Sequence, residues 1–531
     1  MVNDEHARMK QPLPATTRRR SLLWLMLLAL LLSFAFQGSR GLWNTDEGRY
    51  VDGALQMVDS GNYLVPAYSP IEVNLSKPPA TYWVIAAAVK WLGRNTWATR
   101  LPWAFAFVAT VWLLYGMGLR LVPEKPWLPG LIYALSLPPF IAANVVNPDT
   151  LLTLCEALAM YGFVAWRFAP DGSRARGWLA LMWLGWGLAF LTKGPPGLLP
   201  LLAVIPFMAS RDGWRGVGRL FTLPGLALFL LAGFGWYAVV VLRVPWALHY
   251  FLHYEVYDRI FTSVQHRNPG LWGWAIVYLP TLILGTLPWW PALAWTMLRR
   301  TRNPAAEVSA PRAGVSLLLW LWFGIPFVVF CLVQSRLPAY VLPLFLPLSL
   351  LLAIGLRRWI DPRANFQRFV LVVWIVALLA LKGGVAYAVK QPHRDNRLIA
   401  AQLRAMADPA KYSGVVFIEA TSTGYNIEER TPWGIRLYLD KPVYAVAWLS
   451  KTGPEQSCRA LRDAGSALVV LDPGLDYKSV SRVLSQCTRS QVIDAGRWRG
   501  HSVALVRSQT VGHPTRSENH VWNLRHPGSW P

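Results

Sequence analysis

Between residues 46 and 79 the chain gathers side chains suited to proton and anion chemistry. The stretch opens Asp46-Glu47-Gly48-Arg49-Tyr50 and closes Lys77-Pro78-Pro79. A carboxylate can accept or orient a proton, and an arginine or lysine can hold an oxyanion. Similar residues recur far along the chain: Arg100, Asp149 in Asn147-Pro148-Asp149, Lys193 in Thr192-Lys193-Gly194-Pro195, the group His249, His253, Glu255, His266 and Arg267, then Arg336 and Tyr340. His249 and His253 are four apart, which suits a metal if the segment is helical. Long apolar runs separate these spots. Ionisable groups beside membrane spans are costly and are usually functional or paired, so the pattern points to chemistry at a bilayer surface.

The composition supports that setting. Of 531 residues, 54% are hydrophobic, 13% aromatic and only 15% charged, and 29 are Trp. Repeated apolar runs near 20 residues are those of a polytopic helical membrane protein. The formal net charge of +24 invites a nucleic-acid reading. The Arg residues lie mostly in short loops between apolar runs, however, where they set orientation, so no nucleic-acid partner is expected. Cys155 and Cys331 fall in apolar spans. Cys458 and Cys487 lie in a polar region and could pair in an oxidising compartment.

Residues 1–20 are polar, end in three arginines and read as a cytoplasmic N-terminal tail. The Leu-rich run 21–36 resembles a signal peptide, with a weak cleavage match at Ser33-Phe34-Ala35, but more spans follow and an uncleaved first span is preferred. Residues 38–97 then form the first outer loop. Within it 47–60 looks like a short amphipathic helix suited to the interface. The apolar run 80–92 is about 13 residues, too short to cross, and reads as juxtamembrane or re-entrant. Further spans are expected near 98–120, 127–146, 149–167, 177–193, 195–210, 219–243, 271–297, 315–333, 338–356 and 367–389. That makes about eleven, thirteen at most, in a membrane domain covering 21–389. Every expected inner loop is basic, from Arg120 and Lys125 to Arg357 and Arg358.

After residue 389 the composition turns polar. Helices are expected at 396–406, 457–463 and 477–484, and strands at 414–419, 467–471 and 502–506. This is the pattern of a small soluble α/β domain, 390–509, on the outer face. The tail 510–531 is expected to be disordered. On this topology Asp46, Lys77, Arg100, Asp149, Lys193, His249, Arg267 and Tyr340 all reach one membrane face. Each has a plainer reading too. Asp46-Glu47 and Asp149 could be first-turn helix acids, Lys77 a snorkelling lysine, and the histidines interface residues without metal.

Six short motifs in order carry a resemblance: Asp46-Glu47-x-Arg49-Tyr50, Lys77-Pro78-Pro79 with Tyr82-Trp83, Arg100-Leu101-Pro102, Asn147-Pro148-Asp149, Thr192-Lys193-Gly194-Pro195, and the run from Ser335 to Pro343. Over residues 20–390 the chain resembles the lipid A aminoarabinose transferases and their relatives, the protein O-mannosyltransferases. The resemblance implies a GT-C-type, all-α polytopic glycosyltransferase of the bacterial inner membrane with its active site on the periplasmic face. Its donor would be a polyprenyl-phosphate-linked sugar, its acceptor lipid A, another glycan or protein, in contact with membrane lipids. It implies catalytic acids at Asp46, with Glu47 beside it, and at Asp149. Lys77 and Arg267 would serve the donor phosphate. Tyr340 matches the aromatic of the last outer turn. Arg100 and Arg49 are further candidates for the phosphate, Tyr82 and Lys193 for the rest of the substrate. Such transferases commonly place an acid before the KPP lysine as part of a metal site. Here that position is Ser76, so no cofactor is fixed, and a divalent metal would draw on His249, His253 and His266.

The chemistry would be one displacement with inversion. Cations stabilise the leaving phosphate, and a carboxylate orients the acceptor hydroxyl. The rival reading is a lipid or sugar transporter or flippase, which would want polar groups midway through spans and related halves. A sensor or scaffold would leave the outer acids and bases unexplained.

Overall fold

The computed structural model describes residues 14–44, 46–169, 175–258, 267–302, 314–361, 364–388, 393–488 and 491–507. Residues 1–13, His266 and the tail expected from 510 lie outside them, as do the Cys487 side chain and the inner-loop residues 303–313. The chain divides into two compact units. One comprises Met1–Ala35, Trp103–Val241 and Ala247–Gly383, the other Phe36–Pro102, Leu242–Trp246 and Gly384–Pro531. Residues 36–102, which include the expected first outer loop, thus fall in the same unit as the C-terminal region.

The first unit is helical. Among the described residues, five helices are long and apolar enough to cross a membrane: Thr96–Leu121, Leu223–Arg243, Val315–Leu332, Pro338–Leu356 and Asn365–Val385. The pair Gly273–Gly285 and Trp289–Trp295, bent by 75°, makes a sixth if taken as one span. Other expected spans appear as helices that are interrupted or less apolar. The run expected at 127–146 breaks into Leu128–Leu135 and Leu137–Ala142 around extended Ser136, which is followed by Leu137-Pro138-Pro139. Pro138 and Pro139 have no N–H to bond the Ala134 and Leu135 carbonyls, so the helix cannot run through this point, while both prolines fit the first turn of the new one. Helix Ala15–Phe34 buries Leu25, Ala29 and Leu32 in the apolar core, and Lys382 donates to the Leu32 and Ser33 carbonyls.

Helices Pro148–Arg167 and Arg176–Lys193 form an antiparallel hairpin held at two glycines. A Cβ on Gly185 would sit 2.5 Å from the Ala159 nitrogen, and one on Gly162 would sit 2.7 Å from the Met182 nitrogen. Small residues at such crossings let backbones approach closely.

In the second unit helix Asp46–Ser60 is buried from Glu47 through Met57. The sequence suggested an amphipathic helix lying along the interface. Instead it is enclosed within this unit by helix Ala80–Leu92, the turn Trp433–Ile435 and the hairpin of β1 (Ala67–Ser69) and β2 (Glu72–Val73). Gly48 allows this closeness, since a Cβ there would lie 2.7 Å from the Gly434 nitrogen. Ala80–Leu92 is a 13-residue helix, about 20 Å long at 1.5 Å per residue.

The C-terminal region carries a five-stranded sheet in the order β4-β3-β5-β7-β6. Its strands are β3 (Gly414–Glu419), β4 (Val443–Ala447), β5 (Ser466–Leu471), β6 (Gln491–Trp498) and β7 (His501–Arg507). β3 is parallel to β4 and β5, while β7 is antiparallel to β5 and β6. Each of the three parallel strands is a nearly continuous apolar run, as strands covered on both faces are. Helices Asn396–Met406, Gly453–Ala464 and Tyr477–Thr488 accompany them. Cys458 is disulfide-bonded, and Cys155 and Cys331 are free thiols.

Candidate functional site

In the helical unit the polar residues meet at helix ends. Asn147 caps helix Pro148–Arg167 by accepting from the Thr150 N–H at 2.9 Å, and Pro148 fits the first position. Asp149 follows in the first turn, where the dipole favours an acid. Lys193 ends the partner helix, which Gly194 terminates with φ of 78°. The antiparallel hairpin therefore brings Lys193 Nζ onto Asp149 Oδ1. Both side chains are largely buried, and the ammonium also lies 4.2 Å from the Tyr340 ring centroid. Such a cation is held by a carboxylate and a π face together.

Arg267 completes this group. Its Nη1 donates to the Tyr340 hydroxyl at 3.2 Å. The segment bearing it is clamped by Arg336, which is 2% exposed. The Arg336 guanidinium donates to the carbonyls of Asn268 at 3.0 Å, Gly270 at 2.8 Å and Cys331 at 2.9 Å. The Arg336 N–H bonds the Arg267 carbonyl at 2.8 Å. Arg336 thus sets where Arg267 stands. Glu156, two helical turns from Asp149 on the same face, is 3% exposed and lines a small cavity with Trp322, Pro326 and Phe330. Its position inside an apolar run gave no sign of this.

His249 and His253 stack with ring centroids 5.1 Å apart. Among the described residues no third ligand joins them within 4.8 Å; His266, the third imidazole expected with them, lies outside those residues.

In the second unit the paired acids part company. Glu47 is 2% exposed. It accepts from Arg40 Nη1 at 2.6 Å and Nη2 at 3.1 Å, from Arg100 Nε and Nη2 at 2.9 Å each, and from the Trp43 N–H at 2.9 Å. Burial alone would raise its carboxyl, but the Arg100 and Arg40 guanidiniums hold it well below the usual carboxylate range. Arg100 also donates to the carbonyls of Gln37, Arg40 and Gly41. Glu47 and Arg100, expected at the substrate, share this buried ion cluster with Arg40. Arg40 was not singled out in the sequence, since nothing in its surroundings marks it.

Asp46 is exposed, its side chain 53% accessible, and it accepts from Arg49 at 2.7 Å. Arg49 reaches Glu428 as well, at 3.0 Å. Lys77 is half-buried and donates to the Ser76 carbonyl at 2.6 Å. Its loop is pinned by Asn74, which donates to Tyr82 at 2.8 Å and accepts from Ser76 Oγ at 2.6 Å. Tyr82 is fully buried and its ring packs on Tyr50. Asp52 is also fully buried, with Arg436 Nη1 at 3.4 Å and Oδ2 unpartnered. Burial pushes its carboxyl up to about 7 despite the arginine.

A model of the dolichyl-phosphate-mannose-protein mannosyltransferase family matches residues 76–242. Two undecaprenyl phosphate-alpha-4-amino-4-deoxy-L-arabinose arabinosyl transferases of Pseudomonas fluorescens Pf0-1 are each 30% identical to the chain. The alignments cover 69% of this chain and 63% of the relative for the first, and 71% and 67% for the second. The chain thus spans about three-fifths of the length of the curated relatives it matches. Among solved structures, ArnT from Cupriavidus metallidurans bound to undecaprenyl phosphate superposes with a TM-score of 0.69 at 21% identity. That match covers 93% of this chain and 99% of the other. The arabinofuranosyltransferase AftD from Mycobacteria gives 0.50 at 16% identity, covering 95% and 40%. The fold is the mostly helical one shared by these membrane proteins.

Proposed function

The chain belongs to the undecaprenyl-phosphate aminoarabinose transferase family, and on that footing we propose that it is a membrane glycosyltransferase. It takes a sugar from an undecaprenyl-phosphate-type donor and passes it to an envelope acceptor: lipid A, another glycan or protein. Its family and apolar helices fit a multi-pass bacterial inner-membrane protein. We place about eleven spans in residues 21–389 and the acids and bases on the periplasmic side. The basic inner loops and the disulfide-bonded Cys458 support this orientation.

The observation that carries the reading is the linked group Asp149, Lys193, Tyr340 and Arg267 in the helical unit. Two cations there are fixed by a carboxylate, an aromatic ring and a clamped turn. In the transfer, the bond from the anomeric carbon to the phosphate oxygen breaks and its electron pair leaves on the phosphate. Arg267 and Lys193 neutralise that charge, with Asp149 holding Lys193 in place. The acceptor oxygen attacks the opposite face of the sugar, and its proton passes to a carboxylate, a role that the family resemblance gives to Asp46. Lys77 keeps the donor-phosphate role. Glu47, Arg100 and Tyr82 act by shaping the first loop, and Arg49 by orienting Asp46.

The test is transfer of radiolabelled sugar from undecaprenyl phosphate into an envelope extract by the purified chain in bilayers. One preorganised charge contact is worth about 3 kcal/mol, or roughly 100-fold in rate. Lys193→Met and Arg267→Met should each lose activity on that scale, with weaker donor saturation. Wild-type donor dependence in both variants would remove the group from the reaction.

A further inference from the structure

The sheet of the second unit has a topological switch point. The chain leaves β3 to form β4 on one side, then crosses back to form β5 on the other. Connections thus depart in opposite directions from the carboxyl ends of β3 and β5, the place where open α/β sheets bind ligands. Three metal-ligating side chains stand there. Glu419 is the last residue of β3, Asp472 follows β5, and His501 starts β7, next to the Ser502–Leu471 pair. One donor atom from each lies within 4.8 Å of the others.

Asp472 is held by the Gly474 and Ala420 N–H groups, whereas Glu419 and His501 find fewer partners among the described residues. Glu419 is 5% exposed, and among the described residues its carboxyl has the Asp472 carboxyl as its side-chain hydrogen-bond partner. Two carboxyls in contact need a proton or a cation between them. His501 Nδ1 is buried with no hydrogen-bond partner, although the ring itself packs beside Trp498 at 5.5 Å. A buried ring nitrogen without a hydrogen-bond partner, on one of the three clustered side chains, is the second observation that points to a ligand. The Asp472 carboxylate is fixed in turn by the Gly474 N–H on Oδ1 at 2.7 Å. Two carboxylates with one imidazole form a mixed oxygen–nitrogen set. Such sets suit zinc-class cations better than magnesium or calcium.

We propose that Glu419, Asp472 and His501 bind one divalent transition-metal cation of the zinc class at the carboxyl end of this sheet. The ion ties the ends of three strands together and keeps an open coordination position. This stands apart from the glycosyl-transfer reading and does not depend on it.

The test uses the full chain in nanodiscs, stripped with chelator and titrated with Zn2+ alone against a chromophoric competitor. One site per chain is expected. Glu419→Gln and His501→Gln should each weaken it at least about tenfold, the scale on which metal sites respond to lost partners. The His249→Ala/His253→Ala double variant should bind as wild type. Absence of a stoichiometric site, or equal affinity in His501→Gln, overturns the assignment and leaves a proton-sharing carboxyl pair. X-ray absorption of the zinc-loaded wild-type chain gives a readout that needs no variant. One imidazole among oxygen ligands supports the site, and two or more imidazoles overturn it.

Discussion

Replacing Glu47 with Gln separates a structural from a catalytic use of the first-loop acids. The substitution keeps the side-chain volume and one acceptor oxygen but removes the charge. Five hydrogen bonds converge on this carboxylate, four of them from Arg40 and Arg100. Breaking a buried ion cluster from one side typically costs 3–5 kcal/mol, because the remaining charges stay buried and uncompensated. Arg100 keeps three backbone carbonyls as partners, which argues for the lower end, about 3 kcal/mol. For a unit of this size, that lowers the midpoint of thermal unfolding by roughly 6–12 °C. The assay is intrinsic tryptophan fluorescence on heating the purified chain, with limited proteolysis reporting where it opens. A Glu47→Gln protein that melts like wild type yet transfers no sugar would refute the reasoning. It would return Glu47 to the catalytic role that its place beside Asp46 suggests.

Asp46→Asn should abolish transfer with an unchanged melting midpoint, because this side chain is half exposed and its partner Arg49 retains Glu428; measured turnover near wild type would exclude it as the proton-accepting group. Arg336→Ala should free the turn that carries Arg267 and raise the donor concentration needed for half-maximal rate about tenfold or more, which donor titrations of the variant would reveal. Asp52 should make the second unit less stable as pH rises. Its folded value is raised to about 7 from 3.8, so its stabilising contribution is complete below about pH 4 and is lost by about pH 7, on the order of 4 kcal/mol; unfolding midpoints at pH 5 and pH 8 should differ less in Asp52→Asn than in wild type.

Local signals in the sequence were enough for the parts of this protein that local chemistry decides. Asn147-Pro148 marks a helix start and Lys193-Gly194 a helix end, because capping and dipole effects act within one turn. The strands at 414–419, 466–471 and 501–507 are apolar runs bounded by polar turns, and they stand within a residue or two of where the pattern put them. The partners of buried charges were not legible. Arg49 meets Glu428 across 379 positions and Arg100 meets Glu47 across 53. No periodicity records such distances.

The Asp46-Glu47 pair shows why reading the chain as a string misleads at a site. Adjacent acids look like one feature with doubled charge. A helix turns about 100° per residue, so in Asp46–Ser60 the two carboxyls are sent to different surroundings. One is left half exposed beside Arg49, and the other is buried between two guanidiniums. The same geometry gives Asp149 two roles at once. It sits in the first turn because that turn favours an acid, and the antiparallel partner helix then delivers Lys193 to it. The helix-end reading and the functional reading of that residue are therefore not rivals. The feature that stabilises the helix start also fixes the cation beside Tyr340, so changing Asp149 to Asn should disturb helix stability and Lys193 placement together, while Lys193→Met should cost stability by another route, because it takes the cation from a buried carboxylate.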